Sequence, residues 1–163
     1  MNLFERICWA QENLNPVQSN YRIVYEDPAF PDDPVKIVSP APEWMAMALH
    51  GRLLPPISSY LDMPLELITD DDQVIICTYT EAQENRLALN IVHERVLPYH
   101  TLHTAEPVEA MSEEQAIEYL LMKDVPARVW CSSYKYNRPM FRIVGLSQIP
   151  TDRTYRNGWK LVV

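Results

Sequence analysis

Apolar residues recur at helical spacing in two stretches near the start of the chain. The first stretch forms a stripe at Leu3, Ile7, Ala10 and Leu14. Because this spacing places the side chains on one face, it predicts an amphipathic helix over residues 2–14, ended by Asn15-Pro16. The second stretch predicts a helix over Glu43–His50 that closes near Gly51, since glycine readily takes the left-handed conformation after a helix.

A third helix is predicted from a local capping signal. Ser112 and Gln115 form a capping box, in which each side chain satisfies a backbone amide of the first turn. The apolar residues that follow continue the helix. It stops at Asp124-Val125-Pro126, because the residue before proline avoids the α region.

Other stretches have the alternation and β-branched composition of strands. Tyr21–Tyr25 and Val35–Val38 predict an antiparallel hairpin with a long, proline-rich loop. Arg128–Tyr134 and Met140–Val144 predict a second hairpin. The apolar run Val74–Tyr79 predicts a buried strand.

Four further segments give weaker local signals. Thr80 and Gln83 fit a capping box, which favours a helix over Glu81–Val96. The same segment also permits a strand, because apolar residues alternate at Leu87, Leu89 and Ile91. The prolines predict an irregular Leu53–Pro64 and a loop over Pro98–Pro107, while Thr151–Asn157 predicts one short helix.

These elements together predict an α+β protein. The predicted architecture is a small, mainly antiparallel sheet of two hairpins plus one strand, with helices packed on one face. Residues 1–163 are predicted to form a single domain, in which 1–19 is an N-terminal helical extension and about 52–110 is an insertion.

Composition excludes several classes of protein. No apolar run approaches the roughly 18 residues of a spanning helix, so no membrane association is predicted. The start of the chain lacks a basic region followed by an uninterrupted apolar core, so no secretory signal is predicted. Three widely spaced cysteines form no disulfide framework and fit a reducing compartment. Three glycines in the whole chain leave no phosphate-binding loop.

Charge is distributed unevenly along the chain. The net charge of −8 combines a net charge of −14 in residues 1–122, which hold 20 Asp and Glu and 6 Lys and Arg, with a net charge of +6 in residues 123–163. An acidic body with a basic end can bind a neighbouring copy head to tail, or another charged partner. Nucleic acid is disfavoured as a partner, because an acidic chain repels a polyanion.

No residues combine into a strong catalytic or metal-binding motif. His93, His100 and His103, with Glu94, are the nearest approach to a metal cluster, but their spacing matches no zinc pattern. Asp70–Asp72 lack the ligand intervals and the glycine of a calcium loop, which favours a solvated turn. We therefore predict no enzyme activity, no cofactor and no metal. An enzyme that uses the histidine cluster stays an alternative hypothesis, which a metal in the purified protein would support.

Two groups of residues are candidate partner contacts. The N-terminal helix offers Leu3, Phe4 and Ile7, unless it docks on its own domain. The basic end contains a cluster in which arginines flank aromatic rings. This cluster either forms a local structural network or binds the carboxylates of a partner. The cluster consists of Arg153, Tyr155, Arg156 and Trp159.

The last third of the chain resembles a family. The resemblance rests on three sequence motifs: Lys123-Asp124-Val125-Pro126, Phe141-Arg142-Ile143-Val144 and the closing Pro150-Thr151-Asp152-Arg153-Thr154-Tyr155-Arg156-Asn157-Gly158-Trp159. Together they resemble small proteins encoded among the virion or tail genes of tailed bacteriophages and prophages. Tyr21–Pro42 is similar to the opening hairpin of that pattern. The helix over 2–14 and the segment at about 52–110 depart from it.

The resemblance implies a role and a location, and it implies no catalytic residue. The expected function is a virion-associated, tail or assembly accessory protein that binds other virion proteins or further copies of itself. The expected location is the virion or the host cytoplasm. The alternative is a regulatory or anti-defence protein that binds a host protein through an acidic surface, since such a surface can imitate the charge of DNA.

Overall fold

The chain contains both helices and antiparallel strands. The computed structural model describes residues 1–27, 30, 32–78, 91–96, 101–130 and 140–149. The predicted α+β class is confirmed. The helices are α1 (Leu3–Asn13), α2 (Pro42–His50), α3 (Ile57–Leu61), α4 (Thr101–Thr104), α5 (Glu113–Asp124) and α6 (Ala127–Trp130). The strands are β1 (Tyr21–Tyr25), β2 (Lys36–Val38), β3 (Pro64–Thr69), β4 (Val74–Thr78), β5 (Ile91–Val96) and β6 (Phe141–Gly145).

The first sheet has the order β2-β1-β6 and is antiparallel throughout. The predicted hairpin of β1 and β2 is confirmed, with Ile23 opposite Val38. On the other side of β1, Ile143 lies opposite Ile23. Ile23 is fully buried, because it lies on the central strand and faces the helices.

The second sheet has the order β4-β3-β5 and is also antiparallel. Along β3, buried residues alternate with half-buried ones, and Leu65 and Leu67 form the inner face. The described strands therefore belong to two sheets, not to the single small sheet that the sequence predicted.

The ends of three helices are defined by local backbone and capping geometry, and the predicted Ser112–Gln115 box is confirmed. Asn2 accepts a hydrogen bond from the backbone N–H of Glu5 (2.9 Å), which begins α1. At α5, the capping box of Ser112 and Gln115 is present in both directions (3.0 and 3.2 Å). α2 ends at Gly51, whose φ is +85°. The predicted helices at residues 2–14, 43–50 and 112–124 are therefore confirmed.

Replacing Ser112 with alanine is expected to lower the free energy of unfolding by about 1 kcal/mol, because the amide of Gln115 loses its capping acceptor. Urea denaturation followed by circular dichroism measures this change. Ser58→Ala, at an exposed serine within α3, is the control and is expected to change little. Equal effects of the two substitutions would contradict a specific capping role.

A main hydrophobic core lies between the first sheet and helices α2 and α5. Ile23, Met45 and Ile117 are among its fully buried side chains. A smaller core surrounds Leu65 and Leu67. Trp130 packs against both cores, and its indole N–H donates to the carbonyl of Val125 (3.1 Å). The predicted division into an extension and an insertion stays a prediction.

The second predicted hairpin is wrong at its first strand. Residues 128–130 belong to α6, because Pro126 begins a turn in which the N–H of Val129 donates to the Pro126 carbonyl (2.8 Å). Val129 is fully buried there, so core packing overrides its β propensity. β6 pairs with β1 instead. Residues 131–139 lie outside the described residues.

Three other local predictions are corrected. The helix predicted over Glu81–Val96 is wrong for residues 91–96, which pair with β3, as the alternation permitted; residues 81–90 lie outside the described residues. Leu53–Pro64 contains α3, since Pro56 sets an extended residue before the helix begins. The loop predicted over Pro98–Pro107 contains α4, a single turn. The helix predicted over Thr151–Asn157 lies outside the described residues.

Candidate functional site

An apolar groove lies between α1 and α2. Its volume is about 530 Å³, within the range of small ligand sites. α1 contributes Leu3, Ile7 and Ala10 to one wall, and α2 contributes Trp44 and Met47 to the other. The two walls meet because the predicted stripe of α1 docks on the chain's own core, where Ala10 is buried.

The predicted partner contacts of α1 divide between two environments. Leu3 is buried and Ile7 is half-buried, and both line the groove. Phe4 does not line it and is 69% exposed, so it faces solvent elsewhere on α1. Arg153, Tyr155, Arg156 and Trp159 lie outside the described residues.

Trp44 lines the groove and also carries a buried hydrogen-bond donor without a partner in the described part of the chain. Its indole Nε1 is buried and has no hydrogen-bond partner among the residues that the structure describes. The ring lies 5.9 Å from that of Tyr119, which fixes one face of the indole against α5. A buried N–H without an acceptor is costly, so this donor is a local energetic cost of packing α2 against α5.

Charged and polar groups lie at the margins of the groove. Lys123 is near one end, where its ammonium is 2.9 Å from a carboxylate oxygen of Asp124 and 5.6 Å from the centre of the Tyr60 ring. Gln11 and Glu43 are exposed at the rim. Apolar walls with a polar rim are typical of protein-binding surfaces.

Arg6 is a buried residue that the sequence analysis missed. It is 4% exposed, and its side chain donates to the carbonyls of Leu53 (2.9 Å) and Met1 (2.8 Å). The bond to Leu53 ties α1 to the residue before Leu54, which lines the groove. The sequence contains one indication of this burial: Arg6 lies three residues after Leu3, and residues three apart share a helix face.

Two tyrosines at the groove have raised pKa values: Tyr60, which lines it, and Tyr119, which lies behind it. Burial, followed by the nearby Tyr60 and Asp124, raises the pKa of Tyr119 far above its usual value. Burial also raises the pKa of Tyr60, with Asp124 adding to the effect. The Tyr119 hydroxyl donates to the carbonyl of Pro55 (2.5 Å). Both phenols therefore keep their protons at neutral pH and act as packing and hydrogen-bonding groups.

The predicted histidine cluster does not come together in the described residues. His93 is exposed on β5 and His103 is exposed on α4, whereas His100 lies outside the described residues. Across the described ranges, no three His, Cys, Asp or Glu side chains are grouped so that they could hold a metal ion. None of the helices in these ranges has the length and apolar character needed to cross a membrane.

No protein-family model, curated protein or solved structure matches this sequence.

Proposed function

We propose that this protein is a binding subunit that receives an apolar segment of another protein in the groove between α1 and α2. The observation that supports this most directly is an open groove of about 530 Å³ whose two helical walls are lined mainly by apolar side chains. An inserted segment buries apolar side chains against Leu3, Ile7 and Met47.

The biological setting of this binding is proposed from the sequence. The resemblance to small bacteriophage proteins suggests an accessory role in a virion or in its assembly. A groove for a partner segment fits such a role, because accessory proteins act by attaching to other chains. The proposal requires no reaction at the groove.

Blocking the groove with a bulky side chain is expected to weaken ligand binding there. Gln11→Trp places an indole at the groove rim, and we expect the affinity for an apolar naphthalenesulfonate dye to fall about tenfold. Glu12→Trp is the matched control, since Glu12 is the next residue of α1, is exposed and does not line the groove. Dye fluorescence titration measures both affinities. Equal dye binding by both variants would contradict an accessible groove.

A photo-crosslinking residue at the same two positions identifies the partner. In cells that assemble the particle, we expect Gln11 to yield crosslinks to one segment of a virion protein and Glu12 to yield none. Mass spectrometry of the crosslinked peptides reads out the segment. Crosslinks to a host nucleic-acid-binding enzyme would favour the anti-defence alternative, and identical products at both positions would refute the groove as the binding site.

A further inference from the structure

β4 is an edge strand with exposed apolar side chains. Among the described strands it has one neighbour, β3. Val74 is 60% exposed and Ile76 is 63% exposed, and both lie on the outer face of the second sheet, opposite Ile68 and Glu66. Exposed apolar residues on an edge strand are uncommon, because such strands readily pair with other chains.

The register of the sheet shows where the backbone of β4 points. Across the turn, the N–H of Thr69 donates to the carbonyl of Gln73 (3.0 Å), so Thr69 and Gln73 form a hydrogen-bonded pair. In an antiparallel ladder such pairs alternate with non-bonded ones. Ile75 therefore bonds to β3, whereas the backbone N–H and C=O groups of Val74 and Ile76 face the outer edge.

The charge beside this edge favours one kind of partner. Residues 73–80 carry no charged side chain, and Asp70, Asp71 and Asp72 directly precede them. All three aspartates are exposed, and the turn is held by a hydrogen bond from the Thr69 hydroxyl to Asp71 and by the left-handed φ of Asp72 (+63°). The turn before the N-terminal end of β4 is thus acidic, whereas the residues of the strand itself are uncharged and mostly apolar.

We propose that β4 accepts an extended segment of another protein as an added antiparallel strand, with alternating apolar side chains and basic residues at its C-terminal end. In an antiparallel pair, the C-terminal end of the added strand lies beside Asp70–Asp72, so basic side chains there meet opposite charge. A second copy of β4 fits less well, because it brings no basic side chain to the pair. This site is separate from the groove and does not depend on the function proposed for it.

Binding of a defined peptide tests the proposal on the full-length protein. The probe is a short fluorescein-labelled peptide of alternating Val and Thr that ends in two Lys, measured by fluorescence anisotropy. We expect it to bind about fivefold more tightly than the same peptide with both Lys at the N-terminal end. A peptide that ends in two Glu is expected not to bind. Equal binding of the two Lys peptides would overturn the proposed orientation.

Variants of β4 separate the backbone, apolar and charge contributions. Val74→Pro removes an edge-facing N–H at the first residue of the strand, and Ile76→Lys places a charge on the edge; each is expected to lower peptide affinity at least about tenfold. Phe4→Lys is the control, since Phe4 is an apolar residue with 69% exposure on α1, outside the second sheet. Asp72→Asn is expected to remove the preference for C-terminal Lys, whereas Asp62→Asn, at an exposed aspartate after α3, is expected to retain it.

Two outcomes would overturn the assignment. Unchanged peptide binding in both Val74→Pro and Ile76→Lys, with folding verified by circular dichroism, would show that the peptide binds elsewhere. A dimer of the protein alone that Ile76→Lys dissociates in sedimentation analysis would assign the edge to a second copy. Gln11→Trp is expected to leave peptide binding unchanged, so failure of the groove proposal and failure of this one are distinguishable.

Discussion

Gly51→Ala is expected to lower the free energy of unfolding by about 3 kcal/mol or more. Gly51 has φ +85° and ψ 160°, a conformation that residues with a side chain rarely adopt. A Cβ atom at this position would also lie 2.7 Å from the backbone Cα of Ala110. Because the obstruction is backbone rather than a mobile side chain, the chain must shift to relieve it.

The effect is expected to reach the groove. Just beyond Gly51, the N–H of Arg52 donates to the Val108 carbonyl (2.6 Å), and the N–H of Val108 donates to the Leu54 carbonyl (2.9 Å). Leu54 lines the groove, so displacement of this paired segment disturbs the groove wall. We therefore expect Gly51→Ala to weaken binding of the apolar dye as well as stability.

Gly145→Ala is the matched control for this substitution. Gly145 has an ordinary φ of −71°, and the nearest atom to a Cβ there is the Gln148 side-chain oxygen at 3.7 Å. We expect a change within about 0.5 kcal/mol. Urea denaturation followed by tryptophan fluorescence compares the two variants. Similar stabilities for both would contradict the close approach at Gly51.

Alkaline pH is expected to destabilise the protein through Tyr119. Below pH 10 the phenol is protonated in both the folded and unfolded states, so stability is unaffected. Above pH 10 the unfolded state releases the proton while the folded state retains it, because burial raises the folded-state pKa. The free energy of unfolding should therefore fall by about 1.4 kcal/mol per pH unit from this group. Tyr60, whose pKa is also raised, adds a contribution of the same sign.

Tyr119→Phe isolates the contribution of this residue. Near neutral pH it is expected to cost about 1 to 2 kcal/mol, because the buried Pro55 carbonyl loses its donor. Above pH 10 its free energy of unfolding should decline less steeply than that of the natural sequence, by about 1.4 kcal/mol per pH unit. This difference corresponds to one fewer proton released on unfolding. Urea denaturation at a series of pH values measures both slopes. Parallel curves would show that Tyr119 does not retain its proton in the folded state.

Local signals in the sequence predicted the helices where capping and periodicity acted together. Ser112 and Gln115 satisfy amides within a single turn, so the start of α5 depends on neighbours that are close in the chain. Residues 128–130 show the opposite case. Their β-branched and aromatic composition predicted a strand, but the turn at Pro126 and the burial of Val129 make them helical.

The candidate sites were predictable only in part. The apolar stripe of α1 identified Leu3 and Ile7 as candidate partner contacts, and both line the groove. The facing wall from α2 was not predictable, because it depends on how two helices distant in the chain pack. The apolar run of β4 was correctly predicted as a strand and wrongly predicted as buried, since Val74 and Ile76 are exposed. Burial of a strand face depends on which elements cover it.

By itself, the sequence determined the α+β class, the three capped or periodic helices and the hairpin of β1 and β2, because these depend on hydrogen bonds and side-chain spacing within a few residues. Long-range packing sets the division of strands into two sheets, the close approach of Gly51 to Ala110, the burial of Arg6 and the groove beside Trp44. Each of these depends on contacts between residues far apart in the chain, which local patterns do not specify.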